Sequence, residues 1–417
     1  MNIDWLWSQQ ERGIHPGLSR MKALLEVLGH PEQGLIVAQI AGTNGKGSTS
    51  RFLNAMIAEV HDVGLFTSPH LFKFNERILV NNLEIPNSDL ERHIKTLQVV
   101  NDSIGATFFE LITAIALLHF HESRITHAVL EVGLGGRLDS TSAVDSMVSI
   151  ITNIDLDHMQ ILGSRVEEIA FEKAGIIRPG IPVITGAKGT ALEVIKSRAL
   201  ELGSEIWVLG REIQLEAQDL GLEGFEVSVQ TPLGEISGPS RMLGIHQTQN
   251  ATLAIAAAQM LEIPATAIQK GLKVATNPGR LEYLSGSPSV LLDAAHNPHG
   301  ARALEDFITS HKLAPVTLIV GSQADKDFEG VAKALSPISE HVICTKASFA
   351  ARAAPPEALA SYYKNAQISS NISDALNFAR DITPNNGLIL VAGTIPLIAE
   401  ALEKLKNLES EGRIRWQ

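Results

Sequence analysis

The sequence predicts two α/β domains: an N-terminal, P-loop-type domain with a mostly parallel sheet and a small antiparallel insert, and a smaller, Rossmann-like C-terminal domain. Three observations support this fold class. From about residue 34, short apolar runs alternate with stretches of helical periodicity, which is typical of βαβ units. A stretch in which apolar and polar residues alternate interrupts this pattern. Beyond a run of helix-breaking residues the alternation of strands and helices resumes, which indicates a second domain.

The N-terminal domain is expected to contain buried parallel strands, because such strands are short and almost entirely apolar. Stretches with apolar residues every three or four positions separate them, as at 52–60 and 111–120. The predicted strands cover 35–40, 63–66, 125–132 and 147–154. Their alternation with helices predicts a mostly parallel sheet.

A change of pattern separates this sheet from the rest of the chain. Apolar and polar residues alternate within 213–238, which predicts the small antiparallel insert. The breaker-rich residues 276–279 mark the domain boundary, so we predict one domain over 1–276 and another over 277–417. The predicted strands of the second domain cover 290–292, 316–320, 342–343 and 388–391.

Composition and charge argue against several functions. The chain holds 34 Lys and Arg against 46 Asp and Glu, and a net charge of −12 disfavours non-specific binding to nucleic acid or an anionic membrane. No apolar run is long enough to cross a bilayer, and residues 1–7 lack the basic start and apolar core of a signal peptide. Cys344 is the single cysteine, which fits the cytoplasm. We therefore expect a cytoplasmic monomer that acts on small molecules, with no nucleic-acid or membrane partner.

A glycine-rich segment, residues 41–49, lies between the first predicted strand and its helix. Glycines let the backbone N–H groups face a phosphate, and the N-terminus of the helix adds positive potential. The general P-loop pattern is not met, because Ile40 takes the position of its first glycine and a further glycine follows the lysine. An ordinary glycine-rich turn is the alternative. The predicted phosphate-binding residues are Asn44, Gly45, Lys46, Gly47 and Ser48.

Three candidate metal ligands fall at or just beyond predicted strand ends, where open α/β sheets bind ligands. They are Ser68, Glu131 and His158. A hydroxyl, a carboxylate and an imidazole suit Mg²⁺ only if phosphate oxygens and water complete its coordination shell. Taken singly, each residue also fits an ordinary loop or strand end, and His158 is the weakest ligand because Mg²⁺ prefers oxygen.

Lys173 lies on the apolar face of a predicted helix. The motif at 164–167 predicts a capping box and therefore a helix start, and Val166, Ile169 and Ala170 share a face with Lys173. A lysine in such a place usually extends its amine to water while its stem packs. Alternatively the amine lies in the site, where burial would favour its neutral form and make it reactive. The residues alone leave both alternatives open.

Arg280 follows the breaker-rich run at the predicted hinge, and the segment that begins at Asp293 ends the first predicted strand of the second domain. An arginine there could reach a nucleotide phosphate, and the carboxylate could accept hydrogen bonds from ribose hydroxyls. A salt-bridged linker and a capped helix are the alternatives.

Together these segments resemble the folylpolyglutamate synthase/dihydrofolate synthase family, within the larger group of Mur-type peptide ligases. The resemblance covers nearly the whole chain, and the motifs occur in the family's order. They lie at 42–49, 67–71, 76–78, 131–139, 155–158, 172–175, 246–251, 278–280, 293–298 and 325–327.

This resemblance implies an ATP-binding loop and a metal site. Residues 44–48 would hold the phosphates of ATP, and Ser68, Glu131 and His158 would bind Mg²⁺. Lys173 matches a lysine that the family carbamylates, which would turn a cation into an anion beside a second metal site.

The resemblance also implies which residues would contact the nucleotide and the pterin-bearing substrate. Asn250 would contact the adenine, Arg280 the phosphates and Asp293 the ribose. His296 would lie beside the transferred phosphoryl group, and the expected catalytic residues are therefore Lys173, Arg280 and His296. The pterin-bearing substrate would contact Gly17, Leu18, Thr107, Leu138, Asp139 and Ser140.

The implied reaction has two steps. A carboxylate attacks the γ-phosphorus of ATP to give an acyl phosphate, and the amine of L-glutamate then displaces phosphate. The carboxylate belongs to dihydropteroate in one activity and to the terminal glutamate of a reduced folate in the other. We expect both activities, that is, a bifunctional enzyme.

Three alternatives remain beside this interpretation. The chain could be a folylpolyglutamate synthase alone, or a nucleotide-binding regulator that has lost catalysis. A Mur-type cell-wall ligase fits less well, because 131–139 and 17–18 look folate-type. The sequence also departs from the family at two places. Asn277 stands where an aromatic residue is usual. Residues 393–395 stand where a Gly-Ser is common, so no glutamate contacts are assigned there.

Overall fold

The computed structural model describes residues 3–350 and 352–408, which form three sheets and the helices packed around them. The predicted fold class is confirmed, with a large, mostly parallel sheet in the N-terminal part and a separate α/β unit after it. The domain boundary between residues 276 and 277 stays a prediction. Of the predicted second domain, residues 351 and 409–417 lie outside the described residues.

The N-terminal sheet has eight strands. They are β1 Ile36–Ala41, β2 Val63–Phe66, β3 Ile78–Val80, β4 Leu83–Glu84, β5 His127–Glu131, β6 Val148–Ile151, β7 Val183–Thr185 and β8 Ile206–Val208. Their order is β4-β3-β2-β5-β1-β6-β7-β8, and all neighbours are parallel except β2–β3 and β3–β4. The carboxyl ends of β2, β5, β1 and β6 therefore meet at one edge of the sheet, where predicted site residues follow each strand.

Helices cover both faces of this sheet. They are α1 Ile3–Ser8, α2 Ser19–Val27, α3 Lys46–Ile57, α4 Asn87–Ile104, α5 Phe108–Glu122, α6 Met159–Leu162, α7 Val166–Ala174, α8 Gly189–Glu201, α9 His246–Met260 and α10 Ala265–Val274. Buried residues of α3, α9 and α10 form one core with the sheet, and those of α1, α2, α4 and α5 form another on the opposite side. In the described part of the chain, no helix combines the length and the apolar character needed to span a membrane.

The helix that carries Lys173, α7, begins at Val166, but its cap differs from the predicted one. Oε2 of Glu168 accepts hydrogen bonds from the backbone N–H groups of Ser164 at 2.9 Å and Arg165 at 3.2 Å. The capping residue is Arg165 rather than Ser164, so the predicted capping box is wrong by one position.

The predicted insert is a three-stranded antiparallel sheet. Its strands are β9 Gln214–Asp219, β10 Phe225–Thr231 and β11 Gly234–Ser240. Alternate residues of β10 are buried, as the sequence pattern predicted, and Phe225 packs edge-on against Phe52 of α3. The insert therefore extends the core on the α3 side of the large sheet.

The C-terminal sheet has six strands in the order β12-β13-β17-β14-β15-β16. They are β12 Glu282–Leu284, β13 Ser289–Asp293, β14 Val316–Gly321, β15 His341–Cys344, β16 Gln367–Ile368 and β17 Leu388–Gly393. Except for the antiparallel β12, the strands are parallel. The helices are α11 Pro298–Ser310, α12 Phe328–Leu335, α13 Pro356–Ala360, α14 Ile372–Ile382 and α15 Ile395–Lys406. Apolar cores lie on both faces of this sheet, as expected for a parallel α/β unit.

Candidate active site

The loop between β1 and α3 keeps its shape because two glycines allow close approach of other side chains. Gly42 has a φ of 152°, and a Cβ there would lie 1.8 Å from Oγ1 of Thr152. Gly45 has a φ of 85°, and a Cβ there would lie 2.2 Å from Oδ1 of Asn250. Neither position has room for a side chain, so the loop curls tightly before α3 begins at Lys46.

The segment that follows β6 holds this loop in place. The backbone N–H of Asn44 donates to Oδ1 of Asn153 at 2.7 Å, and Oγ1 of Thr152 donates to the carbonyl oxygen of Asn44 at 2.7 Å. Oγ1 of Thr43 donates to the carbonyl oxygen of Asp155 at 3.1 Å and accepts from its N–H at 3.0 Å. The conformation of the loop is thus imposed by its neighbours as well as by its glycines.

Two lysine amines meet at one carbonyl oxygen of this loop. Nζ of Lys46 donates to the carbonyl oxygens of Gly42 at 3.0 Å and Thr43 at 3.3 Å. Nζ of Lys173 donates to the same oxygen of Gly42 at 2.8 Å. Lys173 is only 5% exposed, so the alternative in which its amine reaches bulk water is wrong. Burial, reinforced by the charge of Lys46, lowers the pKa of Lys173 to about 7.

Glu131 ends β5, next to the loop that follows β2. Its Oε2 accepts a hydrogen bond from the backbone N–H of Ser68 at 3.1 Å. Burial raises the pKa of Glu131, whereas the nearby charges of Lys46 and Arg280 oppose that shift. Two of the three predicted metal ligands are therefore in direct contact at the edge of the sheet.

A small cleft lies beside Glu131, whose two carboxylate oxygens would be 3.7 Å from a Cβ on Gly47. Lys46, Lys173, Asp157 and His158 line it together with residues 133–135. His158 is exposed, and its Nε2 lies 3.8 Å from Oδ2 of Asp157. Within residues 3–350 and 352–408, no group of three or more His, Cys, Asp or Glu side chains is arranged to hold a metal ion. A metal in this cleft would need oxygen atoms from a bound phosphate or from water.

A second group of predicted site residues follows the hinge and β13. Nη1 of Arg280 donates to the carbonyl oxygen of Ala294 at 3.1 Å, and Nδ1 of His296 lies 2.9 Å from the same oxygen. Oδ2 of Asp293 accepts from the N–H of Leu281 at 2.7 Å. Burial and the charge of Arg280 lower the pKa of His296 to about 4, so its imidazole is neutral at pH 7.

Side chains of the C-terminal part reach the loop between β1 and α3 directly. Nδ2 of Asn277 donates to Oγ of Ser48 at 3.0 Å. Nδ2 of Asn297 donates to Oδ1 of Asn44 at 3.2 Å. The two groups of site residues therefore face each other across the hinge.

The loop between β5 and β6, residues 132–147 (the β5–β6 loop), carries three of the predicted pterin contacts. Oδ2 of Asp139 accepts from the backbone N–H groups of Gly133 at 3.1 Å and Leu134 at 3.0 Å. Its Oδ1 accepts from the N–H of Thr141 at 3.0 Å and from Oγ1 of Thr141 at 2.6 Å. The side chain of Asp139 thus shapes this loop from within.

The other two loop residues lie on either side of Asp139. Ser140 is buried, and its Oγ lies 2.6 Å from Oγ1 of Thr113 in α5. Leu138 is partly exposed. The hydrogen bond of Ser140 fixes the β5–β6 loop to α5.

The remaining predicted pterin contacts precede two helices, α2 and α5. Thr107 caps α5, and its Oγ1 donates to Oε2 of Glu110 at 2.7 Å. Nε of Arg20 donates to the same carboxylate oxygen at 3.1 Å, which joins α2 to α5. Gly17 and Leu18 immediately precede α2, the helix that Arg20 joins to α5.

Several residues that organise these sites were not singled out by sequence reasoning. Nζ of Lys326 lies 3.5 Å from Oδ1 of Asp157 across the two domains, although Lys326 was noted only as part of the motif at 325–327. Asn153 and Asn297 bind the loop of Asn44, and their loop positions carry no recognisable signal. Gln39 had a visible signal, because it is a polar residue inside an apolar strand.

Comparison with known families assigns both parts of the chain. The Mur ligase middle domain family matches residues 40–258, and the family described as Mur ligase, glutamate ligase domain matches residues 279–395. The dihydrofolate synthase/folylpolyglutamate synthase of Bacillus subtilis is 35% identical over 424 residues, which cover 96% of this chain and 98% of that protein.

Solved structures agree with this assignment over almost the full chain. Escherichia coli FolC in complex with DHPP and ADP matches with a TM-score of 0.90 and 31% identity, covering 97% of each chain. The bifunctional folylpolyglutamate synthase/dihydrofolate synthase of Yersinia pestis, complexed with AMPPNP and Mn ion, matches with a TM-score of 0.88 and 30% identity, covering 97% of this chain and 98% of that one. This chain therefore belongs to the dihydrofolate synthase/folylpolyglutamate synthase family of Mur ligases.

Proposed function

We propose that this chain is a Mg²⁺-dependent ligase that uses ATP to join L-glutamate to dihydropteroate and to the γ-carboxylate of reduced folates. The observation that carries the proposal is the arrangement around one glycine-rich loop: Lys46 and Lys173 line a cleft there, and the carboxylate of Glu131 lies against Gly47 beside it. The name of the Bacillus subtilis relative supports both activities, and the matched C-terminal family supports glutamate as a substrate. ATP at this loop and the acceptor at the β5–β6 loop would meet at one edge of the sheet.

Ser68 and Glu131 fit a Mg²⁺ ion that also takes phosphate oxygens. One hydroxyl and one buried carboxylate form the incomplete, oxygen-based ligand set with which proteins bind Mg²⁺ beside a nucleotide. His158 lines the same cleft and would add a nitrogen, which Mg²⁺ favours less. When bound, the ion supplies positive charge to the phosphate oxygens. The Mn ion in the Yersinia pestis structure supports the use of a divalent metal here.

In the first step the acceptor carboxylate attacks the γ-phosphorus of ATP, and the bond from that phosphorus to the bridging oxygen breaks. ADP leaves with the electron pair, and the acceptor becomes an acyl phosphate. Lys46 at the start of α3 would offset the charge that develops on the transferring group, and Arg280 would do so from the hinge side. Asp293 and Asn250 would orient the nucleoside.

In the second step the amine of L-glutamate attacks the acyl carbon and inorganic phosphate leaves. The acyl phosphate would be hydrolysed in open water, so the two domains must stay closed during this step. The hydrogen bonds from Asn277 to Ser48 and from Asn297 to Asn44 support such a closed arrangement. His296, neutral at pH 7, would face the phosphoryl group without adding charge.

We propose that Lys173 forms a carbamate. Because the pKa of its buried amine is about 7, a large share of the amine is neutral at pH 7. The lone pair of that amine can add to the carbon of carbon dioxide, which forms an N–C bond, releases a proton and leaves an anion. The anion would replace the repulsion between Lys173 and Lys46 with attraction, and it would offer a metal one more oxygen ligand.

Product analysis tests the proposal. Dihydropteroate and tetrahydrofolate are offered separately, each with ATP, Mg²⁺ and L-glutamate, and the products are identified by mass. A glutamate adduct of both acceptors is the expected result. An adduct of tetrahydrofolate alone would reduce the proposal to folylpolyglutamate synthase, and turnover of neither acceptor would overturn it.

The rival from another class is a nucleotide-binding regulator without catalysis. Such a protein needs the glycine-rich loop but has no use for a buried Glu131 and a buried Lys173, whose desolvation costs folding free energy. Release of phosphate that depends on both glutamate and acceptor would exclude it. Since both groups of site residues belong to one chain, a monomer suffices, and the single, buried Cys344 fits the cytoplasm.

A further inference from the structure

We infer that Gln39 is a positioning residue that holds the β5–β6 loop against β1, the strand that precedes the glycine-rich loop. The inference rests on the proposed function, in which the β5–β6 loop contacts the acceptor and the residues after β1 bind ATP. Gln39 lies in β1, between β5 and β6, and is fully buried. It precedes Gly42 by three residues, that is, by about 10 Å of extended chain.

The side-chain amide of Gln39 makes two hydrogen bonds to the β5–β6 loop. Nε2 donates to Oγ1 of Thr141 at 2.9 Å and to Oγ of Ser142 at 2.8 Å. Each of these hydroxyls donates its own hydrogen bond to another group of the loop. Oγ1 of Thr141 donates to Oδ1 of Asp139 at 2.6 Å, and Oγ of Ser142 donates to the carbonyl oxygen of Gly136 at 2.6 Å.

This chain of donors fixes the orientation of the amide. A hydroxyl has one hydrogen to donate. Thr141 donates its hydrogen to Asp139, and Ser142 donates its hydrogen to the carbonyl oxygen of Gly136. Their oxygens can therefore only accept, and the group that faces them must be the NH₂ rather than the carbonyl of Gln39. A neutral group with two hydrogens at one nitrogen meets this need, and among side chains only the amides of Asn and Gln supply it without a charge.

The hydrogen bonds reach the part of the loop that is expected to touch the acceptor. Asp139, held by Thr141, accepts in turn from the backbone N–H groups of Gly133 and Leu134, which line the cleft of Lys46 and Lys173. One amide on β1 thus orders the backbone beside the cleft and the turn that contains Asp139. The loop between β1 and α3 is held separately, by residues after β6.

Keeping this amide has a cost that packing alone does not explain. Oε1 of Gln39 has no hydrogen-bond partner among residues 3–350 and 352–408, although it is buried. A buried, unsatisfied carbonyl is unfavourable, and an apolar residue of similar size would avoid it. The remaining residues of β1, Ile36-Val37-Ala38 and Ile40-Ala41, are all apolar. The two donated hydrogen bonds are therefore the property that distinguishes Gln39 in this strand.

Gln39→Met is the direct test, because it keeps length and approximate volume but removes both donors. We expect the KM for the acceptor to rise about tenfold and kcat to fall roughly tenfold or more, since small displacements of a reacting group are costly. The KM for ATP should stay within about twofold, because the loop that binds it has its own supports. Thr141→Val breaks the same chain from the loop side and should give the same pattern, should Gln39→Met fail to fold.

Ser149→Ala is the matched control. Ser149 lies opposite Gln39 on β6, is equally buried, and its Oγ donates to the carbonyl oxygen of Ile176 at 3.0 Å, outside the β5–β6 loop. It should lower the melting temperature without changing the KM for the acceptor.

The outcomes separate this inference from the proposed function. If the unsubstituted enzyme turns over but Gln39→Met and Thr141→Val show only a lower melting temperature, with all KM values unchanged, Gln39 is structural and the inference is overturned. If the unsubstituted enzyme gives no product from either acceptor, the proposed function fails and the inference falls with it.

Discussion

The cleft and the β5–β6 loop both bury polar side chains, but they satisfy them in different ways. Beside the cleft, Glu131 accepts one hydrogen bond from the N–H of Ser68, and in the cleft Lys173 donates to one carbonyl oxygen. Burial raises the pKa of Glu131 and lowers that of Lys173, so it favours the neutral form of each. In the loop, burial raises the pKa of Asp139 too, but this carboxylate accepts from three backbone N–H groups and a hydroxyl of its own segment, which oppose that shift.

This difference assigns different tasks to the two regions. Groups whose charge is poorly compensated by the protein are available to a charged ligand, and they contribute little to the stability of the fold. Groups that are fully hydrogen-bonded to each other define a rigid shape instead. We therefore expect substitutions at the cleft to lower turnover more than stability, and substitutions in the loop to lower stability, with acceptor binding affected only where Asp139 is disturbed.

The largest effect is expected for Glu131→Gln. The neutral amide is a poor ligand for Mg²⁺, so turnover should fall by about 10³-fold or more at saturating Mg²⁺. The melting temperature should stay or rise, because burial of the charged carboxylate opposes folding, as its raised pKa indicates. Glu172→Gln, which alters a partly exposed carboxylate paired with Arg137, is the control and should remain active. Near-normal turnover of Glu131→Gln would remove this residue from the metal site.

Much of this comparison could be anticipated from the sequence. Apolar runs located β1, β2, β5 and β6 of the N-terminal sheet and β13, β14, β15 and β17 of the C-terminal sheet, because burial on both faces leaves an obvious pattern. The short strands β3, β4, β7, β8, β12 and β16 were not predicted. The positions of Ser68, Glu131 and His158 after strands predicted that they share one edge, since the carboxyl ends of parallel strands meet there. Ser68 and Glu131 are indeed in contact.

What the sequence could not supply are contacts between residues far apart in the chain. The amine of Lys173 donates to Gly42, 131 residues away, and no local pattern distinguishes this from an amine that reaches water. Asp139 was predicted as a substrate contact, yet its hydrogen bonds lie within its own loop, which only the folded backbone reveals. The predicted cap of α7 was wrong by one residue, because Glu168 rather than Glu167 accepts from the N–H groups of Ser164 and Arg165.

The second effect concerns the chemical state of Lys173. Lys173→Arg keeps a cation and a long stem but cannot form a carbamate, so turnover should fall by about 10²-fold if the carbamate is needed. Lys173→Ala should also be inactive, and acetate at high concentration should partly restore its turnover by replacing the lost anion. Formamide, a neutral molecule of similar size, serves as the control and should not rescue. A fully active Lys173→Arg enzyme would exclude the carbamate.

The third effect should fall on stability and acceptor binding together. Asp139→Asn places an NH₂ group against backbone N–H groups or against Thr141, where the structure requires an acceptor. We expect a loss of about 1–3 kcal/mol in the free energy of unfolding. The KM for the acceptor should rise while the KM for ATP is kept. Equal changes in both KM values would show that the loop and the nucleotide site are not independent.

A smaller effect links the pKa of Lys173 to stability. Its pKa is about 7 in the folded protein and near 10.5 in an unfolded chain, so the unfolded state binds more protons between these values. The free energy of unfolding should therefore rise with pH across this window, by at most about 1.4 kcal/mol per pH unit. Urea unfolding of the enzyme and of Lys173→Met, in buffer free of carbon dioxide, measures the difference. Parallel stability curves between pH 7 and pH 9.5 would mean that the amine is not desolvated.

The smallest effect is expected for Ser140→Ala. Oγ1 of Thr113 donates to the carbonyl oxygen of Phe109 at 2.8 Å, so its only hydrogen is engaged. The hydrogen of Ser140 must then go to Thr113, and the hydroxyl cannot donate to a substrate. Loss of this hydrogen bond should lower the free energy of unfolding by about 1 kcal/mol.

The KM for the acceptor should change by less than about threefold in this variant, because the loss of one hydrogen bond leaves those of Asp139 in place. Steady-state kinetics with tetrahydrofolate and a thermal melt of the same sample measure both quantities. A tenfold rise in KM with an unchanged melting temperature would mean that the hydroxyl of Ser140 contacts the substrate. The β5–β6 loop would then resemble the cleft, and the distinction between a region that binds charge and one that holds shape would fail at this residue.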